Sequence, residues 1–232
     1  MSRNRLILVA AAVGAAGLVA LVLVLLTGKS TSATPTTAAA DTTSGAPSGS
    51  LAGIPQQGDT LGRATAPATL IVYEDPQCPY CRNWNVGTLP TIVEQYVRTG
   101  QVRLIYRGVV IIGPDSVRGL RAAYAAGQQN KLWSFVDALY AHQGAENSGW
   151  ITDAVILAAA RQSGANGQAI LKGMGSAAVN AALVTAQTQA TADKVRGTPT
   201  FVIERPPARS TQLNVPGLDA ASFVPSLAAA LQ

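Results

Sequence analysis

The chain has 232 residues, of which 48% are hydrophobic and only 12% are charged, and its formal net charge is +5. This length accommodates one sizeable domain with appendages. The basic residues form no cluster that would indicate a nucleic-acid partner, and two cysteines with one histidine are too few for a four-ligand zinc site.

Residues 6–26 form an apolar segment without a charged residue or a proline. A helix of this length just spans the roughly 30 Å hydrocarbon core of a bilayer. Arg3 and Arg5 precede it, so the positive-inside rule predicts that residues 1–5 are cytoplasmic and that the rest of the chain is extracytoplasmic. We therefore predict a single-pass signal anchor in the cell membrane. The alternative is a cleaved secretory signal, whose apolar core is usually shorter.

The next segment, residues 27–50, consists almost entirely of Thr, Ser, Ala, Pro and Gly. Such a segment lacks the large apolar side chains that a core requires, so we predict a disordered linker. It would hold a folded domain, residues 51–232, away from the membrane surface.

The first half of this domain has the pattern strand, helix, strand. Residues 69–75 are a β-type run that ends at Pro76, and residues 79–98 have helical periodicity in which Pro90 predicts a kink or a break. A second β-type run follows at residues 102–107. This order predicts a βαβ unit.

The second half begins with an Ala-rich block and returns to strand character near its end. Strand residues reappear at 200–204, a hairpin partner is expected at 211–215, and Asp219 is a candidate N-cap for a last helix. The pattern predicts an α/β fold in which a helical insertion, at about residues 113–195, separates the βαβ half from a β-hairpin–helix half. Helical periodicity within the Ala-rich block is found at residues 116–128, 131–142, 151–163 and 177–194.

The two cysteines of the chain, Cys78 and Cys81, flank Pro79 and Tyr80 where the first strand gives way to a helix. Backbone N–H groups and the helix dipole at a helix start favour a thiolate, so Cys78 is predicted to be the reactive sulfur. Cys81 lies one turn later on the same face, at a separation that a disulfide can bridge. Pro79 and Tyr80 are expected to shape the turn and the exposure of Cys78. The pair predicts redox chemistry.

A structural disulfide is the main alternative for this pair, because an exported domain meets an oxidising environment. A bond between Cys78 and Cys81 would close a very short loop, however, and would restrain the unfolded chain little. We predict no metal, and no cofactor other than the redox-active disulfide itself.

Several motifs together resemble the DsbA-like thiol:disulfide oxidoreductases of the thioredoxin fold. They are Cys-Pro-Tyr-Cys at a helix start, a long helical insertion, and Gly-Thr-Pro-Thr-Phe at residues 197–201. Glutaredoxins also carry Cys-Pro-Tyr-Cys, but the predicted export and the insertion favour the DsbA-like branch. The resemblance extends from about residue 64 to the C-terminus and implies a thioredoxin-like fold.

The resemblance assigns roles to particular residues. Cys78 would be the nucleophile and Cys81 the resolving thiol, while Pro199 would be a cis-proline that faces the disulfide. The backbone of Thr198 would then bind an extended client segment as an added strand. The alternative for Thr198 and Pro199 is an ordinary turn that enters a strand.

One position departs from the family. The resemblance implies a buried acidic residue six positions before the first cysteine, and this chain has Val72 there. Glu74 and Asp75 are closer to the cysteines and are candidates for proton transfer. We nevertheless expect both to be solvated or to cap the following turn.

The function that the resemblance implies is disulfide formation in exported proteins with free thiols, by a membrane-tethered enzyme. A quinone-linked thiol oxidase in the membrane would restore the disulfide. Two alternatives remain open: a disulfide isomerase or reductase that works from the dithiol form, and a non-catalytic peptide-binding holdase on a thioredoxin scaffold.

Overall fold

The structure is a computed structural model, and the residues that it describes are Gly49, 51–207 and 210–232. Outside them lie the predicted cytoplasmic segment 1–5, the predicted membrane anchor 6–26 and all but one residue of the predicted linker 27–50.

A six-stranded mixed sheet forms the centre of the domain. In space its strands follow the order β1-β2-β4-β3-β5-β6. β3 and β4 are parallel, and every other neighbouring pair is antiparallel. The strands are β1 (Gln56–Gln57), β2 (Thr60–Leu61), β3 (Ala68–Glu74), β4 (Val102–Gly108), β5 (Thr200–Glu204) and β6 (Thr211–Gln212).

The parallel pair confirms the predicted βαβ unit. All seven residues of β3 are buried, as expected for a central strand whose two faces are both covered, whereas β4 alternates between buried and half-buried residues. β1 and β2 were not predicted, because two-residue strands are too short to show any alternation. Gly58, which lies between them, has a φ of +59°.

The helical segment between β3 and β4 is broken, as the position of Pro90 predicts. α1 (Pro79–Gly87) ends at Thr88, and α2 (Leu89–Ile92) leads directly into a π-helical turn at Val93–Val97. Pro90 has no N–H to donate to the carbonyl four residues earlier, so α1 cannot continue through it.

The predicted helical insertion lies between β4 and β5. One of its helices, α6, was not predicted: it has seven residues and a single buried side chain, Ile170, which is too little to produce a periodic pattern. The five helices are α3 (Pro114–Gly127), α4 (Leu132–Ala141), α5 (Asp153–Ser163), α6 (Gly167–Gly173) and α7 (Ala177–Ala192).

Within the described part of the chain, no single helix has both the length and the apolar composition needed to cross a bilayer. α6 and α7 meet that criterion only as a pair, and they are bent by 73° relative to each other.

The C-terminal half is a short hairpin followed by α8 (Ala220–Ala230). β5 has the predicted bounds, but β6 covers only the first two residues of the expected strand 211–215. Asp219 is the N-cap of α8, as predicted, and its carboxylate accepts the Ser222 N–H at 3.0 Å. Pro225 lies within α8.

Three aromatic rings connect α1, β5 and α8 within the core. The ring centroids of Trp84 and Phe201 are 5.0 Å apart, and Phe223 lies 5.8 Å from the first and 4.7 Å from the second. All three side chains are buried. Tilted and edge contacts at these distances add to the stabilisation from buried aromatic surface, so this cluster fixes α1 against the sheet.

Candidate active site

The turn between β3 and α1 is built around the buried carboxylate of Asp75. Its Oδ1 accepts the Gln77 N–H at 2.9 Å and the Ser116 hydroxyl at 2.7 Å, and its Oδ2 accepts the N–H groups of Ile111 and Ile112 at 2.8 and 2.9 Å. Of the two expected roles, solvation or capping of the turn, Asp75 has the second, so the expectation is confirmed. Four donors replace water around this carboxylate.

The helical insertion holds the same turn from its other side. The amide of Gln143 donates to the carbonyl oxygens of Pro76 at 2.9 Å and Cys78 at 3.1 Å. The side chain of Gln77 donates to Ser116 at 2.9 Å and accepts the Asn147 N–H at 2.6 Å. The backbone that leads into α1 is therefore fixed by the insertion as well as by the sheet.

Cys78 is the N-cap residue of α1 and only 3% of its surface is exposed. Its thiol donates to the carbonyl oxygen of Thr198 at 3.2 Å. Hydrogen bonding from the Cys81 thiol lowers the pKa of Cys78 to about 6, with further support from the Thr198 side chain and the N–H groups of Cys81 and Tyr80, although burial opposes the shift. The position at the helix start stabilises a thiolate, as the sequence predicts.

Cys81 lies one turn further into the helix and is fully buried. Its pKa is raised, first by burial, then by its hydrogen bond to Cys78 and by the negative charge of Glu74. Both cysteines are free thiols in this structure. The two sulfurs therefore differ in the way that attack and resolution require: Cys78 favours the thiolate, whereas Cys81, one turn deeper in the helix, stays protonated.

The Gly-Thr-Pro-Thr-Phe segment lies against the cysteine pair. The Thr198–Pro199 peptide bond is cis, as the resemblance implies, and a second cis bond at Pro206–Pro207 was not predicted. Tyr80 is 64% exposed and lines a groove of about 440 Å³ between α1 and the start of α8. The structure thus brings together Cys78, Cys81, Thr198 and Pro199, with Tyr80 at their edge.

Glu74, the last residue of β3, is fully buried, so the expectation that it is solvated is wrong. The Tyr140 hydroxyl donates to its Oε2 at 3.2 Å, whereas Oε1 has no hydrogen-bond partner among the described residues. Burial raises the pKa of Glu74 to about 8, the negative charge of Cys78 adds to the shift, and Tyr140 and Asn85 oppose it. A carboxyl with this pKa is protonated at neutral pH.

Val72 occupies the strand position where the resemblance implies an acid, and it is buried in the apolar core. Glu74 lies two residues further along β3, so its side chain leaves the strand on the same face as Val72. α4 covers that face at the end of the strand through Tyr140. The sequence could not show this, because the burial of Glu74 depends on Tyr140, which follows it by 66 residues.

Sequence reasoning also missed Tyr140, Asn85, Gln143 and Asn147 as residues of the site. Tyr140 lies in residues 131–142, whose periodicity predicts a helix, and its side chain is buried. The signal that could have singled it out is chemical: a buried tyrosine hydroxyl normally needs a hydrogen-bond partner. Gln143 and Asn147 lie in the connection after α4, where no periodic pattern identifies contacts with a distant turn.

Comparison with known proteins identifies a thioredoxin family model, disulfide bond formation proteins and solved structures with a thioredoxin-like fold as similar to this chain. A family model described as thioredoxin matches residues 56–209. The probable disulfide bond formation protein D of Bacillus cereus is 34% identical over 105 residues, which are 44% of this chain and 49% of that protein. The chain thus spans about half the length of the curated relatives it matches.

Two solved structures show the same fold over most of the domain. A thioredoxin-like oxidoreductase from Silicibacter pomeroyi DSS-3 has 28% identity and a TM-score of 0.57, covering 74% of this chain and 90% of that one. Oxidised BdbD from Bacillus subtilis has 16% identity and a TM-score of 0.64, covering 77% and 97%. The predicted thioredoxin-like fold with a helical insertion is confirmed.

Proposed function

The chain belongs to the thioredoxin family, and we propose that it is a thiol–disulfide oxidoreductase that forms disulfides in exported proteins. The observation that carries the proposal is the pairing of a Cys78 thiolate, favoured by a pKa of about 6, with a buried Cys81 thiol. An environment that stabilises the reduced thiolate makes the corresponding disulfide a stronger oxidant. The name of the Bacillus cereus relative supports the same direction.

The first step is attack by a client thiolate on the Cys78 sulfur, which is the more exposed of the two. A client–Cys78 disulfide forms, the Cys78–Cys81 bond breaks, and Cys81 leaves as a thiolate. Burial raises the pKa of Cys81 well above the usual range of a thiol, and that of Glu74 is about 8, so the proton held by Glu74 moves to the Cys81 sulfur. Of the two candidates for proton transfer, we therefore propose Glu74, because Asp75 is occupied by four donors.

The second step releases the oxidised client. A second client thiolate attacks the client sulfur of the mixed disulfide, and Cys78 leaves as the thiolate that its surroundings stabilise. Two electrons have then passed from the client to the Cys78–Cys81 pair. An external oxidant must remove them, and we propose a quinone-linked membrane thiol oxidase, in keeping with the family resemblance.

The Thr198–Pro199 segment is proposed to bind the client. The Thr198 carbonyl lies 3.2 Å from the Cys78 sulfur, so a client strand paired with this backbone would bring its cysteine close to Cys78. Tyr80 and Pro79, both exposed, form the other side of the approach.

The location is proposed from the apolar segment 6–26. We propose that it anchors the enzyme to the cell membrane with the catalytic domain outside the cytoplasm. Protease added to intact protoplasts should then degrade the domain, and the protected N-terminal fragment should remain in the membrane fraction. A domain protected from protease would contradict this location.

Thiol trapping in intact cells tests the direction of the reaction. An alkylating reagent that adds mass to free thiols should leave most of the wild-type protein unmodified, because the proposed oxidase is mainly in the disulfide form. A mainly dithiol population would instead indicate an isomerase or reductase. Replacing both cysteines, Cys78→Ser with Cys81→Ser, should abolish client oxidation; if client folding survived, the protein would be a holdase.

A further inference from the structure

Tyr73 points to the face of the sheet opposite to Glu74, its neighbour in β3. It is fully buried in a small apolar cluster with Ile71, Val109, Ala190 and Val202. Within this cluster its hydroxyl donates to Asp193 Oδ2 at 2.5 Å, across 120 residues of sequence. Burial and this hydrogen bond raise the pKa of Tyr73, so the phenol stays protonated and remains a donor.

Asp193 follows the last residue of α7 and begins the segment 193–199 that ends at the cis-proline. The side chain of Gln212 donates to the Asp193 carbonyl at 2.6 Å, which adds a second attachment at the same residue. At the far end of the segment, the Thr200 hydroxyl donates to the Gly197 carbonyl at 2.8 Å. The segment is thus fixed at both ends, and Thr198 lies close to the second.

Within the described residues, the Tyr73–Asp193 bond is the one hydrogen bond that joins a side chain of residues 193–197 to β3. β3 is also the strand from which the turn and Cys78 emerge. The bond therefore connects the two sides of the site: the strand that carries Cys78 and the segment that carries Thr198.

We propose that Tyr73 and Asp193 are positioning residues for thiol–disulfide exchange, which hold the Thr198 backbone and hydroxyl in place against Cys78. This inference rests on the proposed function, because it assigns these residues to the exchange site. A hydrogen bond from a buried phenol to a carboxylate is charge-assisted, and it is stronger than a bond between neutral groups. Its loss would also leave the half-buried Asp193 carboxylate without its donor.

The consequence for Cys78 follows from what Thr198 contributes. Its side chain is one of the groups that lower the pKa of Cys78. Its carbonyl accepts from the thiol, but a thiol is a weak donor, so this contact favours the protonated form less than a hydroxyl favours the thiolate. If segment 193–199 moves away, the pKa of Cys78 should rise, and clients should lose the strand against which they pair.

The test compares Tyr73→Phe with Tyr124→Phe in the full-length reduced protein. Tyr124 is a matched control: a buried tyrosine whose hydroxyl makes one hydrogen bond with the described residues, from the Gly108 N–H at 2.9 Å, away from segment 193–199. We measure thiolate absorbance at 240 nm against pH, and kcat/KM with a dithiol peptide. Tyr73→Phe should raise the titration midpoint by about half a pH unit and lower kcat/KM by ~10-fold.

Tyr124→Phe should leave the titration midpoint and kcat/KM unchanged, even if it lowers the free energy of unfolding as much as Tyr73→Phe does. Asp193→Ala, at the half-buried end of the bond, should reproduce the Tyr73→Phe effects and so also serves if that variant does not fold. Asp193→Asn, which keeps an acceptor, should restore most of the loss. The double variant Tyr73→Phe with Asp193→Ala should be no worse than either single variant.

A Tyr73→Phe protein with wild-type titration and kcat/KM would overturn the inference, as would effects that add in the double variant. The first result would show that the bond contributes only to folding, and the second that Tyr73 and Asp193 act independently of each other. The titration does not depend on client turnover. If the wild-type protein failed to oxidise any peptide, the proposed function would be wrong. The shift in the titration midpoint of Cys78 would still decide whether Tyr73 and Asp193 position Thr198.

Discussion

Glu74 and Tyr140 meet in the interior of the domain, where the Tyr140 hydroxyl donates to Glu74 Oε2 at 3.2 Å and neither side chain is open to solvent. The negative charge of Glu74 raises the pKa of Cys81, and the charge of Cys78 raises that of Glu74. The carboxyl is therefore coupled to both sulfurs without contact with bulk water, which suits it to exchange a proton with the buried thiol.

Glu74→Gln tests this role through the reaction rate. The amide cannot supply the proton that the departing Cys81 thiolate needs, so we expect the first exchange step at pH 7 to slow by ~100-fold, within the usual range for a general acid. Stopped-flow measurement of Trp fluorescence during reaction with a dithiol peptide would give the rate. A rate equal to that of Glu146→Gln, which changes an exposed glutamate, would refute the role of Glu74.

The same variant should alter the pH dependence of stability. Because burial raises the pKa of Glu74 from 4.5 to about 8, the folded state binds the proton more tightly than the unfolded state does. The contribution of Glu74 to stability is then greatest below pH 4.5 and declines between pH 4.5 and 8. Glu74→Gln should be the more stable protein at pH 8, by on the order of 4 kcal/mol. The free energy of unfolding, measured with urea across this pH range, would change in parallel for the wild-type protein and Glu74→Gln if Glu74 did not bind the proton more tightly in the folded state.

Cys78 should titrate separately from Cys81. We expect alkylation of the reduced protein by iodoacetamide to be half-maximal near pH 6 and to modify Cys78 alone, as located by mass spectrometry. The largest cause of the low pKa is the hydrogen bond from Cys81. Cys81→Ala should therefore raise the midpoint by about one pH unit, whereas Cys81→Ser keeps a donor and should change it less. Equal midpoints in the two variants would argue against this cause.

Asp75→Asn should destabilise the domain strongly, although it hardly changes the size of the side chain. Each carboxylate oxygen accepts from two donors, so an amide must direct its NH₂ group at one of these pairs. We expect a loss of about 3 kcal/mol in the free energy of unfolding, measured with urea. Asp115→Asn is the control, because among the described residues the half-buried Asp115 carboxylate accepts one hydrogen bond, from the Gly149 N–H. A loss no larger than the control would contradict this account of the turn.

Phe223→Ala tests the packing of α8 beneath the site. Phe223 is buried between Trp84 and Phe201, and its removal should lower the free energy of unfolding by about 3–5 kcal/mol. Val86→Ala, at a position in α1 that is 55% exposed, should change stability by less than about 0.5 kcal/mol. Similar midpoints of denaturation for the two variants would mean that α8 does not stabilise the domain.

Local signals in the sequence were sufficient to predict much of the fold and to identify Cys78 as the candidate reactive cysteine. β3, β5, the break before Pro90 and the Asp219 cap all depend on residues close to one another in the chain, and each was predicted. The roles of Thr198 and Pro199 required the family resemblance, since no local pattern distinguishes them from a turn.

What sequence reasoning missed depends on contacts between distant segments. Glu74 looked solvated because nothing nearby indicates that Tyr140 covers it. Tyr73 looked like any other apolar strand residue, and its partner Asp193 follows it by 120 positions. Burial and pairing of this kind are set by how the insertion packs on the sheet, which the sequence pattern does not contain.

The way the insertion holds the turn before Cys78 limits how the active site can be reused in protein engineering. The stretch around Cys-Pro-Tyr-Cys looks like a portable cassette that could be grafted onto any scaffold with a strand followed by a helix. Its carbonyls at Pro76 and Cys78, however, take their donor from Gln143, and Gln77 is bound by Asn147. A graft without the insertion would bury polar groups that have lost their partners, so the motif and the insertion have to be transplanted as one unit.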